Sequence, residues 1–295
     1  MMKNLNPSSI GRMLGSLVDR ACPMCERPQL RVHFVYDRQP PGEFQFDFLQ
    51  GSTYRRELHR CDGCGHLLEW IDADLSRLYQ GDYAAKVWGN RESIKRTFDR
   101  INTLPPEQSD NVGRVAYIQA FTARTWPAER LKTPRLLDVG SGLGVFPYRM
   151  KQTGWESVSL DLDETLVSHV REAVGIQAIL GDVTKIEGIG EFDLITFNKV
   201  LEHTDNPIRI LSSVGRLLKP GGLVYIELPD GEGAEIEGQE REEYLLGHIH
   251  VFSLASYALL AARAGFELVA CERLREPSTK FTLRGFARSP AQPSR

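Results

Sequence analysis

The 295-residue sequence contains no apolar run near the roughly 20 residues that a membrane-spanning helix needs. Its opening stretch, MMKNLNPSSIGRMLGSLVDR, lacks the compact apolar segment of a secretory leader. The expectation is a cytoplasmic protein with no membrane partner. An excess of charge is also missing: 36 Lys and Arg stand against 39 Asp and Glu, a formal charge of −3. That balance argues against broad adhesion to nucleic acid, and the one modest basic cluster is Arg55, Arg56 and Arg60 beside His59. Cysteine is sparse, at five residues, which excludes a dense disulfide scaffold. No internal repeat is visible, so a solenoid or propeller is excluded. What remains is a chain with 41% hydrophobic residues, long enough to bury one large core and a small satellite.

The few cysteines fall in a pattern. Cys22-Pro-Met-Cys25 and Cys61-Asp-Gly-Cys64, the latter followed by Gly65, are two CxxC pairs. This spacing lets two thiolates of one turn face one metal, and two such pairs predict a tetrahedral zinc site at Cys22, Cys25, Cys61 and Cys64. Between them, LRVHFVYD and FQFDFLQ alternate like half-buried strands around the turn Pro40-Pro41-Gly42. Cys271 lies in the apolar run FELVAC and reads as a core residue. Residues 71–133 then carry helical patterning in ADLSRLYQ, ESIKRTFDRI and VGRVAYIQAFTARTW, expected to link the zinc module to the main domain and to cap its binding face.

From Arg135 strands and helices alternate. RLLDVG, VSLDLD, QAILGD, FDLITFNKV and LVYIELP read as strands, separated by helical stretches such as VFPYRMKQTG and ETLVSHVREAVG. FELVACERL and KFTLRGFAR follow the helix SLASYALLAARAGF with no helix between them, which predicts a closing hairpin and one antiparallel strand. The fold class is therefore α/β: a doubly wound, mostly parallel sheet over 134–288, with a small zinc-ribbon-like module over 1–70, the helical linker between them, and a tail over 289–295 expected to be disordered.

In such a sheet ligands sit beyond the carboxyl ends of the strands. Four successive strand tips here are polar. Asp138 is followed by the bare turn Gly140-Ser141-Gly142-Leu143-Gly144, whose GxGxG spacing differs from the GxGxxG dinucleotide fingerprint. Asp161 can take a ribose diol, and Asp182, with the backbone of Val183, an adenine edge. Asn198 and Lys199 end the fourth strand. Each acid taken singly also suits a helix N-cap.

These pieces together resemble the class I S-adenosylmethionine-dependent methyltransferases. The likeness rests on LLDVGSGLGVF, SLDLDE, LGDV, FDLITFNKVLEHTDNP and LLKPGGLVYIELP, in that order. It implies a seven-stranded sheet that binds the cofactor through Asp138, Gly140, Ser141, Gly142, Gly144, Asp161, Leu162, Asp182, Val183, Asn198 and Lys199. The first five lie near the methionine part, Asp161 on the ribose, Asp182 and Val183 on the adenine, and Asn198 and Lys199 on the sulfonium side. The stretch RCDGCG with LYQGDY further on is similar to the zinc-bearing module that precedes such domains in sugar-modifying and natural-product enzymes. Related enzymes carry a histidine loop as EHxxxxS and use it as a base. Here His248 takes that place in GHIHVFS, Gly247 replaces the glutamate, and His250 is a second candidate. His203 in LEHTDNP belongs to a region that binds a metal in some quinone-type O-methyltransferases, where Lys199 here replaces an acid.

The segment Asp230 to Glu243, with seven acids and one arginine, is expected to be mobile: a solvated loop or a lid. The function expected is methyl transfer from S-adenosylmethionine to a small-molecule acceptor such as a sugar, sugar nucleotide or natural-product intermediate. The alternatives are an RNA methyltransferase that reads through its zinc module and a non-catalytic binding protein that keeps the fold.

Overall fold

The computed structural model describes residues 21–28, 30–43, 54–71 and 89–290. The expected arm over 1–20, the strand over 44–50, the helix and LYQGDY motif within 72–88, and residues 291–295 of the tail lie outside the described residues.

Residues 135–288 form the seven-stranded sheet. Its strands are β4 (Arg135–Val139), β5 (Glu156–Asp161), β6 (Gln177–Leu180), β7 (Phe192–Asn198), β8 (Leu218–Pro229), β10 (Glu267–Arg275) and β11 (Phe281–Arg288). Their order is β10-β11-β8-β7-β4-β5-β6. β4 to β8 pair in parallel, and β11 runs antiparallel between β8 and β10. The chain steps outward from β4 to β6, then crosses back to β7 on the other side of β4. This reversal opens a crevice at the carboxyl ends of β4 and β7.

The apolar runs explain the central strands. β7 is buried from Phe192 to Phe197, as expected of a strand covered on both faces. Alternate residues feed opposite cores: Leu136, Leu194, Tyr225 and Phe286 on one face, Leu137, Ile195, Val224 and Ala287 on the other. Two helices of the expected linker, α1 (Arg91–Asn102) and α2 (Asp110–Thr125), are present. α2 lies along the sheet. Its Ile118 and Phe121 pack on the first face, and Phe121 stacks on Phe286 at 3.9 Å. α3 (Val145–Gln152) packs against β4 and β5, α4 (Glu164–His169) against β5 and β6, and α5 (Pro207–Ser213) follows β7.

A second, antiparallel sheet has the order β1-β2-β3-β9, from β1 (Leu30–Tyr36), β2 (Arg56–Cys61), β3 (Leu67–Ile71) and β9 (His250–Val251). β1 pairs with β2, Leu30 opposite Cys61. That register brings the two cysteine pairs to one end. β9 comes from the histidine loop, so a segment 180 residues downstream completes the N-terminal sheet.

The acidic segment is folded rather than mobile. Residues Gly231–Glu235 form α6, capped by Asp230, whose carboxylate pairs with Arg273. Glu235 pairs with Arg60, Arg241 with Glu237 and Glu243, and Gly231 and Ala234 are buried. All of its acids except the exposed Glu240 pair with a cation, from Arg60, Arg241, Arg273, Arg275 or Lys280.

Candidate cofactor crevice and histidine wall

The crevice begins at Asp138, buried at the tip of β4. Thr196 Oγ1 and Asn198 Nδ2 donate to its Oδ1 at 2.6 and 2.7 Å. Burial pushes its carboxyl up to about 6, against the pull of these donors. The turn that follows needs glycine at three places, all at positive φ. A Cβ on Gly140 would meet Val200 at 2.7 Å, and one on Gly144 would meet Val170 at 2.9 Å. At Gly142 it would meet nothing within 4 Å. The loop is thus sealed against the protein at its ends and open in its middle. Ser141 Oγ donates to the Asp138 carbonyl and closes the turn.

Asp161, at the tip of β5, accepts the Gly142 amide on Oδ2 and the Asp163 amide on Oδ1. Burial raises its pKa. Beside it Leu162 is 75% exposed, a large apolar side chain with no protein cover. Asp163, not Asp161, caps α4. Asp182 follows β6. Burial alone would raise its pKa, but the Thr184 hydroxyl and amide and Lys185 hold it below the usual range. Its carboxylate is thus largely engaged by its own turn, while Val183 beside it is buried.

The other half of the crevice lies beyond β7, β8 and β11. Lys199 sits at positive φ (58°) and donates to Thr282 Oγ1 at 2.8 Å. Burial lowers its pKa, opposed by Glu227 and Glu202. Glu202 is fully buried, and neither carboxylate oxygen has a hydrogen-bond partner among the described residues. Glu202, His203 and His248 each offer one potential ligand atom within 4.8 Å of the others. The His203 and His248 rings meet edge to face, with centroids 4.9 Å apart. His203 Nδ1 contacts the Gly247 carbonyl and His248 Nδ1 the Glu243 carbonyl, both at 2.8 Å. A carbonyl only accepts, so each Nδ1 carries the proton and each Nε2 is left as an acceptor. Burial first, and the neighbouring His203 next, push His248 down to about 3.

His250 is not part of this pair. It is buried, its Nδ1 is 3.0 Å from His66 Nε2, and His66 Nδ1 faces Ser256. The backbone explains the difference: His250 lies in β9, paired with Leu68 in the N-terminal sheet, while His248 lies outside that strand.

The family profile described as a methyltransferase domain matches residues 111–271, more than half of the chain. The chain belongs to the methyltransferase-domain family. The domain is of the S-adenosylmethionine-dependent kind. A ubiquinone biosynthesis O-methyltransferase of Methylococcus capsulatus is 29% identical over 152 residues, 49% of this chain and 57% of that protein. One of Pseudomonas paraeruginosa is 30% identical over 162 residues, 52% of this chain and 63% of that protein. The match thus spans less than two thirds of these relatives' length. In fold the chain resembles the magnesium protoporphyrin IX methyltransferase of Synechocystis PCC 6803, with a TM-score of 0.51 and 15% identity, over 70% of this chain and 97% of that one.

In this methyltransferase the four N-terminal cysteines converge. Cys22 and Cys64 Sγ lie 3.6 Å apart, Cys25 and Cys61 Sγ 3.4 Å. Tetrahedral zinc–thiolate geometry places sulfurs about 3.8 Å apart, so the set fits one ion. The Met24 and Gly63 amides donate to Cys22 and Cys61 Sγ, stabilising thiolate character. Cys271 is half-buried on β10, opposite Gly285.

Two site elements escaped the sequence reading. Thr196, inside the apolar run of β7, is a donor to Asp138. Arg114 of α2 grips Glu227 near the end of β8. The signal for the second was a lone acid in LVYIELP.

Proposed function

We propose that this methyltransferase binds S-adenosylmethionine over Gly142 and methylates a small-molecule acceptor held beyond β7 and β8. When bound, the cofactor supplies a methyl group on a positively charged sulfur. The observation that carries the reading is the open centre of the glycine turn, flanked by Asp138, Asp161 and the bare Leu162. Asp161 is placed to accept a ribose diol, Leu162 to lie against an apolar ring face, and Asn198 to border the reacting end. Asp182 offers an adenine little more than its half-exposed carboxylate edge, with the Val183 backbone beside it.

The acceptor half is walled by ionisable groups: Lys199, Glu202, His203 and His248. This wall suits a polar acceptor, and the relatives named for ubiquinone O-methylation support a small one. His248 is the candidate base. Its Nε2 has no hydrogen-bond partner among the described residues, and burial keeps the ring neutral, though weakly basic, across the physiological range. The reading places a structural zinc on Cys22, Cys25, Cys61 and Cys64. An RNA acceptor is disfavoured because the one basic cluster is neutralised: Arg55 pairs with Glu57, Arg56 with Glu69 and Arg60 with Glu235.

Calorimetry with S-adenosylhomocysteine tests the first claim, with roughly micromolar binding expected. No binding sinks it. Mass spectrometry of a panel of hydroxylated acceptors with the cofactor tests the second. His248→Gln is expected to stop transfer and leave cofactor-product binding intact.

A further inference from the structure

Between Glu243 and Ser253 the chain that carries His248 is held at its two ends by its own domain, through Phe281 N to Glu243 and the Gly231–Phe252 and Phe252–Pro229 backbone bonds, and in its middle by residues more than 170 positions upstream. Leu246 N donates to Glu43 Oε1 at 2.8 Å and Gly247 N to Glu69 Oε2 at 3.2 Å. Arg56 Nη1 donates to the Tyr244 carbonyl at 2.6 Å, and Glu69 N to the Ile249 carbonyl at 3.0 Å. Ser253 Oγ donates to the Cys64 carbonyl.

At the centre of this attachment is a fully buried ion pair. Arg56 Nη1 donates to Glu69 Oε1 at 3.0 Å, and Arg56 Nε donates to the Tyr54 hydroxyl at 2.9 Å. The guanidinium lies 4.1 Å over the Tyr36 ring, and Glu43 stands 3.4 Å from Nη2. A buried pair of this kind is weak as a source of stability, since apolar residues of like volume often do as well. What apolar residues cannot do is receive the Gly247 amide and supply a proton to the Tyr244 carbonyl.

Gly247 is the link to the chemistry. Its amide is fixed by Glu69, and its carbonyl takes the proton of His203 Nδ1. The Glu243 carbonyl that accepts from His248 Nδ1 lies one residue before Tyr244, whose carbonyl Arg56 holds; the Glu243 side chain is anchored separately by Arg241 and the Phe281 amide. The tautomers of both imidazoles, and the direction of both free Nε2 atoms, therefore depend on where this segment lies.

We propose that Arg56 and Glu69 are positioning residues that fix the orientation and tautomer of the His203–His248 pair through the Tyr244–Gly247 backbone. The proposal rests on the reading that this pair lines the acceptor half.

The test uses the full-length, zinc-loaded chain and the double variant Arg56→Met/Glu69→Leu made on a Glu43→Gln background, so that no carboxylate of the buried cluster is left without its counter-charge. Two measurements are made: nitrogen-15 imidazole spectra, with His203 and His248 signals assigned by Gln substitution, and calorimetry with S-adenosylhomocysteine. The wild type is expected to show fixed Nδ1–H tautomers for both rings. The double variant is expected to show averaged tautomers and amide exchange over 244–249 faster by about tenfold or more, the scale of one lost buried hydrogen bond. Its affinity for S-adenosylhomocysteine should stay within twofold. Unchanged imidazole signals overturn the proposal, and so does a loss of cofactor-product binding in the variant alone, which would make the pair a global structural element. Should the double variant not fold, Glu69→Asp, which keeps the charge but draws it away from Gly247, is read by the same signals. Absence of binding in the wild type would instead overturn the cofactor reading and leave the tautomer result standing.

Discussion

Arg114 and Glu227 join the first helical layer to the carboxyl edge of the sheet through a two-pronged ion pair, Nε to Oε2 at 2.7 Å and Nη2 to Oε1 at 2.5 Å. Tyr225 adds its hydroxyl to Oε2 at 2.8 Å. Burial alone would raise the Glu227 carboxyl, but Arg114 holds it down to about 2. The pair forms the floor under Lys199, whose charge is balanced in part by Glu227.

Removing the arginine leaves a buried carboxylate with no counter-charge. Arg114→Ala is expected to destabilise the protein by about 3–5 kcal/mol at pH 7.5, measured by urea unfolding. In the wild type the folded pKa lies below the unfolded value, so this stabilisation is present above about pH 4.5 and fades as pH falls toward 2. The variant's deficit should therefore be unchanged between pH 7.5 and pH 5 and shrink as pH falls from about 4.5 toward 3. A deficit that is the same at pH 5 and pH 3 would contradict the assignment.

Asp138 has the opposite sign. Its folded pKa, about 6, lies above the ordinary carboxyl value, so its stabilising share is complete at low pH and lost as pH rises through 6. Asp138→Asn keeps an oxygen for Thr196 and Asn198 and removes the buried charge. Free of cofactor at pH 7.5 it is expected to be more stable than wild type by on the order of 1–2 kcal/mol. The gain should disappear by pH 4. Calorimetry should show S-adenosylhomocysteine bound at least tenfold more weakly, since a charge-assisted partner is lost. A variant that is less stable at pH 7.5 would show that the carboxylate is not strained by burial.

The parallel sheet was legible because buried strands must be apolar along their length and each polar residue at a tip then stands out. Asp138, Asp161 and Asn198 were found that way. The small sheet was less legible. β2 and β3 are short, and their pairing is fixed by the Cys61–Cys64 turn rather than by a hydrophobic pattern. β9 could not be read at all, because His250 and Val251 pair with a strand 180 residues away. Acidic composition misled at 230–243, since a sequence shows the seven carboxyl groups but not that Arg60, Arg241 and Arg273 meet them. For His248 the ordinary imidazole pKa suggested a base that titrates near neutrality. Burial beside His203 removes that titration, so the activity profile should show no step from His248 between pH 6 and 7.

The glycine turn separates fold from binding. Gly144→Ala drives a Cβ into Val170 and should destabilise the protein by about 1–3 kcal/mol. Gly142→Ala meets open space and carries only the backbone strain of positive φ, about 1 kcal/mol. Its affinity for S-adenosylhomocysteine should nonetheless fall by tenfold or more, because the added methyl stands where the ligand must approach (a penalty of over about 1.4 kcal/mol). Thermal melts and calorimetry on the two variants decide it. Full affinity in Gly142→Ala would move the cofactor away from this turn.

The cysteine cluster reaches the methyltransferase domain through a short path. Cys64 ends the turn between β2 and β3, and its carbonyl receives the hydroxyl of Ser253. Ser253 is also the N-cap of α7 (Leu254–Arg263), in a reciprocal capping box with Ser256. Loss of metal leaves four thiols within contact distance, no longer drawn together, and frees the turn that holds this cap. Elemental analysis is expected to give one zinc per chain. Cys61→Ser should lower that content and speed amide exchange over 250–256 by about tenfold, the scale of one lost cap. Exchange in β4 and β7 should not change, because their partners lie wholly within the large sheet. A protein that purifies without zinc and keeps the wild-type exchange pattern over 250–256 would show that the thiols hold this end of the molecule without a metal.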